Sequence, residues 1–468
     1  MILDFFPYEE QRKCQTDTLL ELEKEWDNFD VFVISAPTGS GKSGIAATLQ
    51  SWELSKNNSC AYIVPNNILR DQLLDDFDHM RTVKAQEEYW IEKYNMTEKE
   101  FRTKIYKYGP RDSQYTRDRN AVRRVGTPVV VNYHSYIAHK LQRNTLIVDE
   151  AHQLLHILQD MNSRKIWRHL YGYPLMARTP ADVLSWIDSK KEKGGLLTKL
   201  RNQIQTLDGG TVLEMGKDMY RGAVMDCLKL IPLDVSSAPP IFWPNKTKKI
   251  VLMSATIGEQ DIKSMGLDNR RVLYLEVESP IPEENRPVVY APVADMSMRN
   301  QKEALPVIAE KILGLAAEHP GKGFIHATYD VAYKLKEFLA DNDRFMFHDN
   351  TNKSAVYEEF YESDPQLGKI MVGSGMSEGI DLKYDAATWQ VLVKCPFPSL
   401  MNPAMRWLLK NRPEVYDWMT TKEILQACGR VCRDPTDYGI TYLIDNSFER
   451  WYNKVRKILP SWFKMKGI

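Results

Sequence analysis

Cysteine is scarce in this chain, with six among 468 residues. Thiols spread so thinly do not make a disulfide framework, and a reducing compartment, cytoplasm or nucleoid, is the natural setting. No apolar run approaches the roughly 18 residues that span a bilayer, so no membrane partner is expected. The start, Met1-Ile2-Leu3-Asp4-Phe5-Phe6-Pro7, lacks the basic opening and apolar stretch of a secretory signal. Internal repeats and low-complexity tracts are missing too, which excludes a repeat array. Neither sign of charge is in excess, because Lys+Arg and Asp+Glu both number 62. A nucleic-acid binder is often basic overall, so such a partner would have to be met by local patches. What is present is core material. Hydrophobic residues make up 43%, and the length suggests about two to four domains.

The first half alternates strand and helix patterns. Asp30-Val31-Phe32-Val33-Ile34-Ser35 is a short β-rich run, followed by a glycine loop and a helix from about Ser43 to Leu54. Further strand candidates are Cys60–Val64, Val129–Asn132, Leu146–Asp149 and Ile250–Met253. Continuous apolar runs with helices between them predict a parallel sheet covered on both faces. A second α/β series begins near Pro280, with strand candidates Gly323–His326, Phe345–Phe347, Lys369–Val372, Gln390–Val393 and Ile440–Ile444. Between the two series, Glu278 to Pro287 has the composition of a linker. The expected fold is two parallel-sheet α/β domains in tandem, residues 1–278 and 279–468. Two stretches in the first domain are too long for ordinary loops and predict mainly helical insertions, about 79–127 and 153–248.

Chemistry enters at Ala36-Pro37-Thr38-Gly39-Ser40-Gly41-Lys42-Ser43, between a predicted strand and a predicted helix. Glycines let backbone N–H groups turn inward around phosphates, and the helix start adds a favourable dipole. Lys42 is expected to meet the β- and γ-phosphates of ATP, and the Ser43 hydroxyl to coordinate Mg²⁺. The strict spacing begins at Ala36 instead of glycine. Asp149-Glu150-Ala151-His152 follows another apolar strand. An Asp there can hold Mg²⁺, and an adjacent carboxylate can orient and deprotonate the attacking water. Acidic strand ends are common caps, and it is the upstream phosphate loop that gives this pair its meaning.

Together these residues resemble the XPD/DinG branch of superfamily 2 helicases, with motifs in the family's order. Phe6-Pro7-Tyr8 with Arg12 and Gln15 looks like the adenine-recognising Q motif, and 36–43 like motif I. Val64-Pro65-Asn66-Asn67 looks like motif Ia, which faces nucleic acid, and Asn132-Tyr133 like the family's Asn-Tyr segment. Asp149–His152 reads as the DEAH box, with His152 a coupling residue. Ser254-Ala255-Thr256 resembles motif III, coupling hydrolysis to domain movement. Thr328 lies in a motif IV-like segment, and Gly373–Asp381 resembles motif V. Gln426-Ala427-Cys428-Gly429-Arg430-Val431-Cys432-Arg433 matches motif VI. Three- and four-residue spacing on a helix would put Gln426, Arg430 and Arg433 on one face. Guanidiniums suit phosphate oxygens and neutralise charge developing on the γ-phosphate.

The resemblance implies two RecA-like domains and an ATP- and Mg²⁺-dependent, 5′→3′ motor that acts as a monomer on single-stranded or forked DNA. RNA, or remodelling without strand separation, are the alternatives. Many relatives carry a four-cysteine iron–sulfur domain in the position of the first insertion, but here no cysteine lies between Cys60 and Asp149. No iron–sulfur cluster is therefore expected there. That insertion is rich in cations and rings, and Arg117, Arg119, Arg123 and Arg124 are its candidate strand contacts. The bland reading puts its aromatics in a core of their own. The second insertion stands at the family's arch position. The compact layout suits a phage or mobile element.

Overall fold

The computed structural model describes every residue except 191–194, 208–209, 221, 237–241, 244–245, 350, 375–381, 383 and 468. The first lobe opens with β1 (Val31–Ser35) and β2 (Cys60–Val64). A two-strand ribbon, β3 (Trp90–Ile91) with β4 (Met96–Thr97), belongs to the first insertion. The chain returns through β5 (Val129–Asn132) and β6 (Thr145–Val148), then leaves for β7 (Arg164–Trp167), β8 (Thr211–Tyr220) and β9 (Ala223–Pro232) in the second insertion. β10 (Lys249–Ser254) and β11 (Val272–Glu276) complete the lobe, whose six strands form one parallel sheet ordered β11-β1-β10-β6-β2-β5. Strand alternation feeds two cores. Val31 and Val33 pack on one face with Val129, Val131 and Val148, while Phe32 and Ile34 pack on the other with Tyr62, Val130 and Ile147. Each such buried side chain contributes roughly 1.5–3 kcal/mol, which is why both faces are apolar.

The second lobe repeats the plan with β12 (Val288–Ala294), β13 (Gly323–His326), β14 (Phe345–Phe347), β15 (Ile370–Gly373), β16 (Trp389–Leu392), β17 (Ile440–Asp445) and β18 (Met465–Lys466). These strands are parallel, in the order β14-β15-β13-β16-β17-β12-β18. The two RecA-like sheets meet across a cleft. Buried Asp261 of the first lobe accepts from Trp418 Nε1 at 2.7 Å and Lys422 Nζ at 2.9 Å, both on the second lobe's helix Pro413–Cys428. Among the described residues no helix is long and apolar enough to cross a membrane.

The first insertion contains helices Glu98–Lys104 and Gln114–Arg123. Its aromatics divide. Tyr89, Phe101 and Tyr115 are buried, whereas Trp90, Tyr94, Tyr106 and Tyr108 are exposed. Tyr89, Tyr115 and Val122 join the core of the first lobe, so the insertion is anchored to it. The second insertion differs from the mainly helical expectation. Helices Pro180–Asp188 and Gly195–Gln205 pack on an antiparallel sheet ordered β7-β9-β8, around Ile166, Val183, Ile187, Ile204, Leu228 and Leu230. The long hairpin β8–β9 carries charges between its apolar positions, a period-2 pattern that a helical reading smooths over. This insertion also reaches the second lobe: Leu233 packs with Leu408, Val415 and Tyr416, and Asp234 pairs with Arg412 at 3.0 Å.

Candidate nucleotide-binding cleft

β1 ends at Ser35 and the helix Lys42–Ser55 begins after six intervening residues, so its free amides open onto the loop between them. Gly39 and Gly41 have φ of +80° and +77°, which side-chain-bearing residues rarely adopt. Ser40 is buried and donates its hydroxyl to the Pro37 carbonyl at 2.7 Å. Arg12 and Gln15 brace the loop from outside. Gln15 Nε2 donates to the Gly41 carbonyl at 3.1 Å, and Arg12 Nη1 donates to the Gly39 carbonyl. Phe6 and Tyr8 stand edge to face at 5.8 Å beside the helix start.

The parallel register brings the acids to the same sheet end, because β6 lies next to β10 and β10 next to β1. Asp149 is 3% exposed. Its Oδ2 accepts from the Tyr62 hydroxyl at 2.8 Å and its Oδ1 from the Glu150 amide at 2.9 Å. Ser43 lies beside the Tyr62 hydroxyl. Ser43, Tyr62 and Asp149 thus form a compact oxygen cluster. Burial, followed by the charge of Glu150, pushes the Asp149 carboxyl up. A hard cation beside Ser43 and Asp149 would supply the missing positive charge, with phosphate oxygens and water completing its shell. The donor set fits Mg²⁺.

Glu150 sits in the left-handed region at φ +44°, a position costing about 1–2 kcal/mol for a non-glycine residue. Its Oε1 lies 3.6 Å from Lys42 Nζ. Burial alone would raise its pKa, but Lys42 foremost, then His152 and Arg430, override that and hold it at about 2. The carboxylate is therefore ionised. His152 Nδ1 faces Ser254 Oγ at 2.8 Å and Glu150 Oε2 at 3.3 Å. Across the cleft Gln426 Nε2 donates to His152 Nε2 at 2.9 Å, which puts the ring proton on Nδ1. Gln426 also approaches Thr256 Oγ1 at 3.5 Å, and the Thr256 amide donates to Ser254 Oγ at 3.1 Å. An unbroken polar chain thus runs from Glu150 to the second lobe.

Gln426, Arg430 and Arg433 do not share the one helical face that their spacing predicts. The helix Pro413–Cys428 stops before either arginine, with Gly429 as its cap. Both arginines lie in the loop beyond it, and tertiary packing turns them inward. They line a cavity of about 400 Å³ with Lys42, Glu150, His152 and Gln426, within the roughly 300–1,000 Å³ usual for small-ligand sites. The lobes touch closely here, since a Cβ on Gly39 would lie 2.6 Å from the Arg433 carbonyl oxygen.

The expected nucleic-acid contacts are more scattered. Pro65 and Asn66 line the cavity, and Asn66 caps the helix Asn67–Asp76. Asn132 caps the helix Tyr133–Ala138 and donates to Asn67 Oδ1 at 2.6 Å. Thr328 caps the helix Tyr329–Leu339. Tyr133 is a correction, because it is fully buried and donates its hydroxyl to the carbonyls of Asp149 and Glu150. It braces the acidic pair from within and presents nothing to a strand. Arg117, Arg123 and Arg124 are exposed, while Arg119 is half-buried with its guanidinium 5.6 Å from the Tyr115 ring centroid. Asp381 lies outside the described residues. Sequence reading missed Tyr62 and Asp261. In the sequence the first is one more core aromatic and the second one more helical acid, and only contacts distinguish them.

Two family models match, "Helicase C-terminal domain" over residues 313–466 and "Type III restriction enzyme, res subunit" over residues 7–172. The ATP-dependent DNA helicase YoaA of Haemophilus influenzae is 23% identical over 160 residues, covering 31% of this chain and 24% of its own. The ATP-dependent DNA helicase CHL1 of Kluyveromyces lactis is 25% identical over 181 residues, covering 33% and 22%. The matched part of this chain thus spans about a quarter of the length of these curated relatives. Among solved structures, an XPD helicase aligns over 96% of this chain and 98% of its own, with a TM-score of 0.64 and 15% identity. Xpd4 of S. tokodaii aligns over 97% and 100%, with a TM-score of 0.59 and 14% identity.

Proposed function

We propose that the chain is an XPD/DinG-type superfamily 2 helicase, an ATP hydrolase coupled to movement along DNA. The observation that carries this reading is the two-sided cleft. One lobe supplies Lys42, Ser43 and the Asp149–Glu150 pair, and the other supplies Gln426, Arg430 and Arg433.

Lys42 binds the β- and γ-phosphates of ATP in place of Glu150. Losing that partner removes the main attraction that keeps Glu150 so weakly basic, so nucleotide arrival itself prepares Glu150 to take a proton from the attacking water. Ser43 and Asp149 hold Mg²⁺, which would screen the phosphate charge. Arg430 and Arg433 neutralise charge developing on the γ-phosphate, which ties hydrolysis to lobe closure. Gln426, His152, Ser254 and Thr256 carry the state of the phosphate between lobes. Arg12 and Gln15 fix the loop beside the base of the nucleotide, and Thr38 to Gly41 wrap its phosphates.

DNA runs across the lobes past Pro65, Asn66, Asn132 and Thr328, and the exposed cations and rings of the first insertion meet a single strand or fork. The motor works as a monomer, 5′→3′, and without an iron–sulfur cluster, since no cysteine lies between Cys60 and Asp149. The test is ATP turnover with single-stranded DNA or RNA, and strand displacement on forks with a 5′ or 3′ overhang. Lys42→Ala and Glu150→Gln are each expected to lower turnover by about a thousand-fold or more, with Glu150→Gln still binding ATP. Wild-type turnover in Glu150→Gln rules out this base. Stimulation by RNA alone replaces the DNA reading with an RNA one.

A further inference from the structure

The loop carrying both arginines runs from Gly429 to Gly439 without regular structure. Something other than helix or strand pairing has to hold it, and Asp437 is positioned to do so. Its side chain is 2% exposed and accepts three backbone N–H groups. Oδ2 takes that of Arg433 at 3.1 Å, and Oδ1 takes those of Tyr438 at 2.9 Å and Tyr384 at 3.0 Å. Its own carbonyl accepts from Cys432 Sγ at 3.4 Å. The following turn is pinned as well. The Gly439 amide donates to the Asn285 carbonyl at 2.8 Å, and a Cβ on Gly439 would lie 2.3 Å from the Val431 oxygen.

Two of the three N–H groups give the carboxylate a meaning beyond loop closure. The first belongs to Arg433, whose carbonyl lies against Gly39 of the phosphate loop. The second belongs to Tyr384, in the short helical turn Tyr384–Ala386 that follows the motif V-like segment. One buried carboxylate therefore joins the main chain just past the motif V-like segment to the main chain of an arginine that lines the cleft. Charge-assisted bonds of this type are about twice as strong as neutral ones. A displacement of about 1 Å in such a group costs on the order of a hundred-fold in rate.

We propose that Asp437 is a positioning residue that sets Arg433 over the nucleotide phosphates and links it to the segment following motif V, so that strand binding is felt at the arginine. The inference rests on the ATP-driven reading above, but it is scored on ATP turnover and amide exchange, separately from strand displacement.

Asp437→Asn is the informative change. The amide retains one oxygen, best used by the paired Tyr384 and Tyr438 donors. Its NH2 then faces the Arg433 N–H, donor against donor. Expected are a fall in kcat of about thirty- to a hundred-fold, a KM for ATP within two-fold of wild type and an unchanged DNA Kd. The stimulation of turnover by single-stranded DNA is lost. In an Arg433→Ala background the same substitution lowers kcat no further. Deuterium exchange rises in peptides covering 382–386 and 430–438, and Arg433→Ala alone does not raise it. If Asp437→Asn does not fold, Asp437→Glu, with both oxygens displaced by a methylene, is read the same way. Normal kcat and stimulation in the variant overturn the proposal. So does a full additional loss in the Arg433→Ala background. If the wild type turns over ATP but separates no strands, the helicase reading fails and the Asp437 measurements still stand. If the wild type shows no turnover, unchanged exchange in both peptides overturns the proposal.

Discussion

The two walls of the cleft are built differently. On the first lobe each chemical group sits at the end of a regular element: Lys42 on the first turn of a helix, Asp149 after β6, and Ser254 closing β10. Backbone hydrogen bonds place these groups whether or not a ligand is present. On the second lobe only Gln426 is helical, and both arginines lie past the helix end in a loop held by side-chain bonds. A wall set by backbone geometry is preorganised. A wall set by a few side-chain contacts can be moved by what binds nearby.

The sharpest way to break this contrast is at Gly39, where the two walls touch. Gly39→Ala puts a Cβ at φ +80° and 2.6 Å from the Arg433 carbonyl. It is expected to hold the lobes apart and cut kcat by on the order of a hundred-fold, with Asp149 and Glu150 undisturbed. Turnover measured beside ATP affinity checks this, and a variant with normal kcat would show that the lobes open freely at that point.

A smaller effect is expected in the first insertion. Charge reversal at Arg117, Arg123 and Arg124 leaves the buried Tyr89–Phe101–Tyr115 core intact, because all three arginines are exposed. DNA affinity should drop, and the slope of log K against log salt should flatten by about 2 if each arginine meets a phosphate. Arg119 is best left in place, since it packs on Tyr115. Unaltered binding would make the insertion a structural platform.

The mildest prediction concerns acid. His326 donates its Nε2–H to Gln390 Oε1 at 2.8 Å, while Gln390 Nε2 donates to the Ala427 carbonyl at 2.9 Å, in motif VI. Burial lowers the His326 pKa to about 4, with Gln390 opposing and Arg430 reinforcing. Its folded pKa lies below its unfolded value, so the unfolded chain binds the proton more readily. Stability from this residue is complete above pH 6.5 and is lost as pH falls towards 4, by at most about 3 kcal/mol. Melting temperature across that range should fall less steeply in His326→Gln than in wild type. Equal slopes would remove His326 as a source of the acid sensitivity.

The strands most legible in the sequence were the short ones that carry no charged residue. Cys60–Val64, Val129–Asn132, Gly323–His326 and Phe345–Phe347 have the bounds expected from their apolar runs. β11 was missed because it is an edge strand whose burial alternates. β12 carries Pro292 and follows the proline-rich stretch Glu278–Pro287, so it does not stand out as a strand candidate. The hairpin β8–β9 is hidden in the sequence because its apolar positions find their partners only when β9 pairs with β7 and the helices pack on that sheet.

By itself the sequence determined the two-sheet plan and the order of the phosphate loop, acidic pair and arginine motif. Local spacing encodes those features, and strands buried on both faces leave an unbroken apolar record. Only the tertiary structure decided which groups meet. It turned two arginines inward from beyond a helix end, drew Tyr133 away from the surface to brace Asp149, and brought the Tyr384 amide to Asp437 from far along the chain. Contacts of that sort depend on how separate elements pack, and no residue carries them in its neighbours along the chain.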